Sequence, residues 1–325
     1  MKDIRFYDLD FNLLYILPEY ALKNGYSSMN ATQELNGAGS FELVFYDEEL
    51  KKIIEKYTDN IFINCEGFQG FITGYRWDAV CRVTGMHLNG LLHRAIIPQM
   101  TEEYTGDAET LARQAVTDNI PWLSLGTVCG LSKQINYKTE KPLNADNYIQ
   151  NLLALNPAGY KITADMINKQ FVFSCIKPIE NTMILSEGNK NAYNIEETYD
   201  NKELAYSGWY QKELPKDKNG NKPDPVWTYI TLDNAKTGVH NITCVLSAKN
   251  ETEALNELKT KKTSYEMMAE TKGIKYNTDY HIGDIVRVQN KGTTVKKIIS
   301  GVNIWNEHGN GEEPILTTWE EETNG

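Results

Sequence analysis

The stretch from Asp59 to Pro98 constrains this chain most, because three short strand patterns run without a break into an apolar stripe of helical period. Ile61, Ile63 and Cys65 alternate with Phe62 and Asn64; Phe71 to Tyr75 is aromatic and β-branched; Cys81 and Val83 alternate with Arg82 and Thr84. Gly67, Gly70 and Gly74 punctuate the set as turns or bulges. After Gly85 the period changes. Leu88, Leu91, Leu92, Ala95 and Ile96 fall on one face of a helix, which predicts a helix from Leu88 to Ile97 closed by Pro98. Strands capped by a helix make a scaffold, and no catalytic motif lies inside this one.

The remaining chain reads as more of the same, with one helical insert. Alternation at Ile4, Phe6, Leu13, Tyr15 and Leu17 around a turn at Asp10 to Asn12 predicts an opening hairpin. Strands follow at Ser27 to Glu34 and at Phe41, Leu43 and Phe45, and Asp47 is placed to cap a helix carrying Leu50, Ile53, Ile54 and Tyr57. From Gln99 two one-sided helices are expected. Asp107 caps the first, with Ala108, Leu111, Ala112, Ala115 and Val116 on one face; Asn144 caps the second, with Ala145, Tyr148, Ile149, Leu152 and Leu153. A hairpin of Tyr160 to Thr163 with Gln170 to Ile176 completes that unit. Strand signals recur at Ala192 to Tyr199, Glu203 to Tyr210, Thr228 to Leu232 and His240 to Ser247, and Asn250 with Glu253 suggests a capping box. Asp284 to Val288, Val295 to Trp305 and Ile315 to Trp319 form a closing meander. The expected class is α+β, mainly β, with four segments: a barrel over 1–98, a small α+β unit over 99–188, a β-rich segment over 189–250 that completes a second barrel or sheet, and a short helix with a closing barrel or meander over 251–325.

Thirty-three basic against forty-four acidic side chains leave a net charge of −11, which disfavours a surface that tracks phosphate, and no basic run offsets it. Sequence-specific nucleic-acid binding is not expected. Five cysteines, at 65, 81, 129, 175 and 244, are widely spaced with no CxxC pair, and read as core thiols of a chain made in a reducing compartment. No stretch approaches the roughly 18 apolar residues of a membrane span, so neither an anchor nor a signal peptide is expected.

Three patches, taken in order, resemble the baseplate hub, or tail-associated, proteins of phages and prophage-derived tail particles: RFYDLDFNLLYIL with GAGSFELVF, the ITG…CRVTGMHLNGLLHRAIIP segment, and the late YHIGDIVRV. The resemblance spans nearly all 325 residues. It implies tail-tube-like β-barrels, a homotrimer whose barrels form a ring of six-fold pseudo-symmetry, and a place at the tip of a virion tail. There the ring joins the tube or distal tail protein to the spike or tip protein, near the tape-measure protein. Longer relatives carry an appended peptidase or lysozyme-like domain; this sequence ends soon after Trp319, so that activity does not transfer.

The residues suggest little chemistry of their own, and no catalytic, cofactor-binding or metal-ligating residue is assigned. His87, His93, His240, His281 and His308 form no zinc-spaced cluster. His240 with Cys244 is expected to share a strand face rather than to form a nucleophile and its base. Asp217-Lys-Asn219-Gly-Asn221 opens like a calcium loop, yet Lys222 stands where glycine is wanted and Thr228 where a bidentate glutamate belongs. The acid pairs at 102–103, 196–197 and 320–321 are sequence neighbours that point apart. The aromatic group Tyr193, Tyr199, Tyr206, Trp209, Tyr210, Trp227 and Tyr229 suits a subunit interface or, alternatively, a cell-wall carbohydrate platform. A wall hydrolase is the weakest alternative. On the helix at Leu88 to Ile97, Leu91 and Leu92 are expected in the core and Arg94 at a neighbouring subunit.

Overall fold

A computed structural model describes residues 3–18, 26–57, 60–200, 204–214, 223–233, 235, 237–261, 264–306 and 310–319. The chain is mainly β and divides into two compact units, one of residues 1–195 and 269–325 and the other of residues 196–268.

In the first unit the opening hairpin β1 (Ile4–Asp8) and β2 (Leu13–Leu17) forms as expected, around a turn in which Asp8 Oδ1 accepts the N–H groups of Asp10 and Asn12 at 3.0 and 2.8 Å. That turn holds Phe11 at a φ of 63°, an uncommon conformation for an aromatic residue, and its ring packs 5.2 Å from Phe62 and 4.9 Å from Phe171. Next come β3 (Tyr26–Glu34), β4 (Ser40–Phe45) and α1 (Glu48–Tyr57). Asp47 caps α1, its Oδ1 accepting from Glu49 and Leu50 N–H at 2.9 Å, and Leu50 and Ile54 are the residues it buries.

The organising stretch gives β5 (Ile61–Cys65), β6 (Phe68–Trp77) and β7 (Cys81–His87), with a bulge between Ile72 and Gly74. The backbones are close here: a Cβ at Gly85 would fall onto the Phe41 ring and the Phe71 carbonyl. The predicted helix is corrected. Leu88–Arg94 is a 3₁₀ helix, Ala95 is extended, and Ile96–Ile97 is a short strand, β8, with Ile96 exposed and Ile97 buried. Tertiary pairing overrides the helical period, because β8 pairs with β12 (Leu143–Asn144) and Ala95 O accepts the N–H of Ala145 at 2.9 Å.

Between them lie β9 (Tyr104–Asp107), α2 (Ala108–Asn119), β10 (Leu123–Leu125) and β11 (Gln134–Tyr137). Asp107 caps α2 at 2.7 Å from Thr110 N–H, and the expected apolar face is buried throughout. α3 (Ala145–Ala154) buries its expected face too, but Asn144 makes no side-chain cap bond; as part of β12 it is held by strand pairing instead. β13 (Gly159–Asp165) and β14 (Gln170–Ile176) form the expected hairpin, extended by β10 parallel to β14. The helices, this sheet and the aromatic residues Tyr7, Phe11, Phe62 and Phe71 share one core.

β15 (Ile179–Leu185) leads to β16 (Ala192–Asp200), along which the chain leaves the first unit. The second unit holds β17 (Ser207–Lys212), β18 (Val226–Thr231), β19 (Thr243–Val245) and α4 (Glu251–Thr260). Asn250 caps α4 through Glu253 N–H at 2.9 Å, but Glu253 reaches the N–H of Lys249, not that of Asn250, so the expected capping box is half formed. The chain returns along β20 (Ser264–Thr271). β21 (Asp284–Asn290), β22 (Thr293–Asn306) and β23 (Asn310–Thr318) then complete the closing meander. Strands from both ends of the chain enter one sheet of eleven, ordered β15-β21-β22-β3-β4-β7-β6-β5-β1-β2 with β23 on β22. The joint is the antiparallel pairing of Gly301–Asn306 with Met29–Glu34.

Candidate functional site

The aromatic stretch singled out in the sequence becomes one face of the β18-β17-β19 sheet in the second unit. Residues paired across strands share a face. Trp209 pairs with Tyr229, their ring centroids 5.1 Å apart, and on its other side Trp209 pairs with Val245; Gln211 pairs with Trp227. Trp209, Trp227, Tyr229 and Val245 are 47, 50, 41 and 71% exposed. The opposite face carries Tyr210, Ile230 and Leu246, buried against Ala254 and Leu258 of α4. The helix thus covers one face of this sheet and leaves the aromatic one outside. The register separates what the sequence grouped: Tyr210 is core, and Tyr193 and Tyr199 lie on β16, exposed.

In the first unit a cleft of about 670 Å³ is lined by Gln69, His87, Asn89, Tyr160, Lys177 and His281, among others. Three of its polar side chains, Asn89, Gln69 and His87, are bonded to backbone. Asn89 Oδ1 accepts the N–H of Ile162 at 2.7 Å, while its Nδ2 donates to Tyr160 O at 3.2 Å and Gly37 O at 2.8 Å. Gln69 Oε1 accepts from Ala164 N–H at 2.9 Å, and its Nε2 donates to Ala164 O at 3.3 Å. His87 Nδ1 accepts from Asn89 N–H at 3.2 Å and so caps the 3₁₀ helix; burial lowers its pKa to about 4, which keeps the ring neutral. A Cβ at Gly90, next in the chain, would press on Met86 and the Phe71 ring, so this turn is packed as tightly as its side chains allow.

Glu109, almost wholly buried in the first turn of α2, accepts three consecutive N–H groups, from Cys129 and Gly130 at 2.7 Å and Leu131 at 3.2 Å. Burial alone would raise its pKa; the three backbone donors outweigh that and hold the carboxyl below its ordinary value. The same loop is pinned by Arg113 on Gly126 O at 2.8 Å and Lys177 on Gly130 O at 3.1 Å. Burial pushes the thiols of Cys65 and Cys129 up to about 12 and about 11, in the second case with help from Glu109, and raises Cys175 as well. Thiols so held stay protonated and are poor nucleophiles.

The other predicted positions are dispersed. His93 Nε2 lies 2.7 Å from Asp146 Oδ2 on α3, and His281 Nδ1 lies 3.8 Å from Asp284. His240 corrects its expected strand position: it ends an exposed 3₁₀ turn, Gly238–His240, with Gly238 at a φ of 62° and Asn241 N–H closing on Gly238 O at 3.0 Å. Cys244 lies beyond that turn on β19, packed toward the α4 core. Among the described residues no three His, Cys, Asp or Glu gather to hold a metal ion. His308, Glu320 and Glu321 and the calcium-like stretch from Asp217 to Asn221 lie outside the described residues. Arg94 is exposed, its guanidinium 5.4 Å over the Phe71 ring, and Leu91 and Leu92 are buried as expected.

No protein-family model matches the sequence, and no curated protein matches it. Solved structures do match the fold along almost the whole chain. The 43 kDa tail protein of prophage MuSo2 from Shewanella oneidensis superposes with a TM-score of 0.56 over 98% of both chains at 13% identity. The tail protein from Neisseria meningitidis MC58 gives 0.56 over 97% of this chain and 95% of its own at 11% identity. Prophage tail protein gp18 from Listeria monocytogenes EGD-e gives 0.56 over 98% and 95% at 14% identity. The likeness is one of fold, and it agrees with the mainly β class expected from the sequence pattern.

Proposed function

We propose that this chain is a structural protein of a phage tail or phage-tail-like particle, and within it the baseplate hub. Three copies form a ring that joins the tail tube or distal tail protein to the spike or tip, with the tape-measure protein at its lumen. The observation that carries this is the end-to-end superposition on a prophage tail protein, 98% of each chain. In this assembly the strands β1–β7 and the closing strands β21–β23, which share one sheet, act as the tube-like ring wall. The role is structural, not catalytic. Its support is what the buried ionisable groups do: Glu109 and His87, both deeply buried, are spent on backbone N–H groups that fix loops and turns.

The test is assembly. Purified protein should sediment as a trimer, or close into a ring when mixed with its tube and spike partners. A strict monomer at high concentration that also fails to join such a ring contradicts the hub.

A further inference from the structure

We infer that the aromatic face of the β17–β19 sheet is a contact between copies of this chain, seated against the 196–268 unit of the neighbouring copy. The inference rests on the trimeric assembly proposed above and names the surface that closes it.

Two observations select the occupant. The first is charge. Three copies of a chain with net charge −11 repel one another, and they meet at least cost where the meeting surfaces are uncharged. The face answers to that: its exposed residues Trp209, Gln211, Trp227, Tyr229, Thr231, Thr243 and Val245 hold no ionisable charge at neutral pH. The unit that bears it is nearly neutral as well. Residues 196–268 hold twelve acidic and ten basic side chains, leaving thirty-two against twenty-three for the rest of the chain. Another 196–268 unit is therefore the least repelled surface that a second copy offers.

The second observation is the kind of apolar surface. A sugar platform needs ring faces bordered by hydrogen-bonding groups, and aliphatic side chains add nothing to it. Here Val245, 71% exposed, continues the band Tyr229–Trp209 across the third strand. Exposed Trp and Tyr on a patch free of charged side chains match the aromatic, charge-depleted core of a protein interface.

The experiment is sedimentation equilibrium of the full chain as wild type, Trp209→Ala and Val245→Lys, with circular dichroism and a thermal melt as fold controls. Val245 is exposed enough for the lysine to be carried without unfolding, so the test survives if Trp209→Ala fails to fold. A wild-type trimer whose dissociation constant rises at least tenfold in a folded variant supports the contact. A wild-type trimer unchanged in every folded variant overturns the face while leaving the trimer intact. A wild-type monomer at all concentrations overturns this contact between copies and leaves the hub to the ring-assembly test with tube and spike partners. Pull-down by purified cell-wall glycan, lost in Trp209→Ala while the trimer persists, overturns it in favour of a sugar surface.

Discussion

Asn89 completes the outer edge of β13 with its side chain: its amide bonds Ile162 N–H at 2.7 Å and Tyr160 O at 3.2 Å, as a neighbouring strand would. Gln69 does the same one step further along, at Ala164. Two carboxamides, one from the 3₁₀ helix and one from β6 of the large sheet, therefore close the free edge of the small sheet, and Asn89 adds a third bond to Gly37 O in the loop before β4. Every partner of Asn89 is buried backbone or close to it, so losing the amide strands donors and acceptors that water cannot reach.

Asn89→Ala is expected to lower the free energy of unfolding by about 3 kcal/mol, because each buried group left unpaired costs about 1–3 kcal/mol. Gln69→Ala, at a less buried position, should cost less. Urea denaturation checks both. A loss below about 1 kcal/mol for Asn89→Ala would mean that water or a backbone shift repairs the edge.

His87 makes stability depend on pH between its two pKa values. The unfolded imidazole takes up a proton near 6.5, whereas the folded one resists until about 4, so stability is full above 6.5 and falls as pH drops through that window. His87→Asn keeps an acceptor for the Asn89 N–H but does not titrate. The variant should show a flatter melting temperature from pH 6.5 to 4, and an unchanged slope would place the acid sensitivity elsewhere.

Glu109 acts lower on the scale. Its folded pKa lies below the ordinary 4.5, so its contribution is complete above 4.5 and is lost as pH falls toward the folded value. Glu109→Gln exchanges a carboxylate that accepts three N–H groups for an amide with one acceptor oxygen. It should be destabilising at pH 7, with the gap to wild type narrowing below pH 4.5 in thermal melts. A gap independent of pH would show that packing, not charge, is what the variant loses.

Leu92→Ala should cost about 2–5 kcal/mol, the usual range for truncating a fully buried leucine. Arg94→Ala removes an exposed cation–π contact on Phe71 worth about 0.5–1 kcal/mol. The melting temperature should thus fall clearly for Leu92→Ala and by no more than a few degrees for Arg94→Ala, while Arg94→Ala weakens ring assembly. Equal unfolding by both, or normal assembly of Arg94→Ala, would refute the division between core and interface here.

Where one face of an element meets the core, the sequence was legible. The stripes of α2 and α3, the alternation of β1, β4, β13 and β14, and the caps at Asp47 and Asp107 all needed only neighbours three or four residues away. Leu88 to Ile97 misled because its period was local while its conformation was set from a distance, by β12 and by β13. β15 escaped notice as a parallel edge strand, interrupted between Glu180 and Ile184, whose exposed Ile179 breaks any alternation. The aromatic face was legible in composition but not in geometry. Trp209 meets Tyr229 only through the pairing register of β17 with β18, which sits across a long sequence gap, and Tyr210, one residue on, goes to the core. Asn89 and Glu109 gave one weak signal each, a polar residue within an apolar stripe, which cannot say which backbone it serves.

The most direct measurement of the central claim is electron microscopy of the intact tail particle at a resolution that traces individual chains. The account predicts three copies of this chain in a ring on the tail axis, between the end of the tube and the spike or tip. Copies found only at the periphery of the particle, away from the axis, would contradict it.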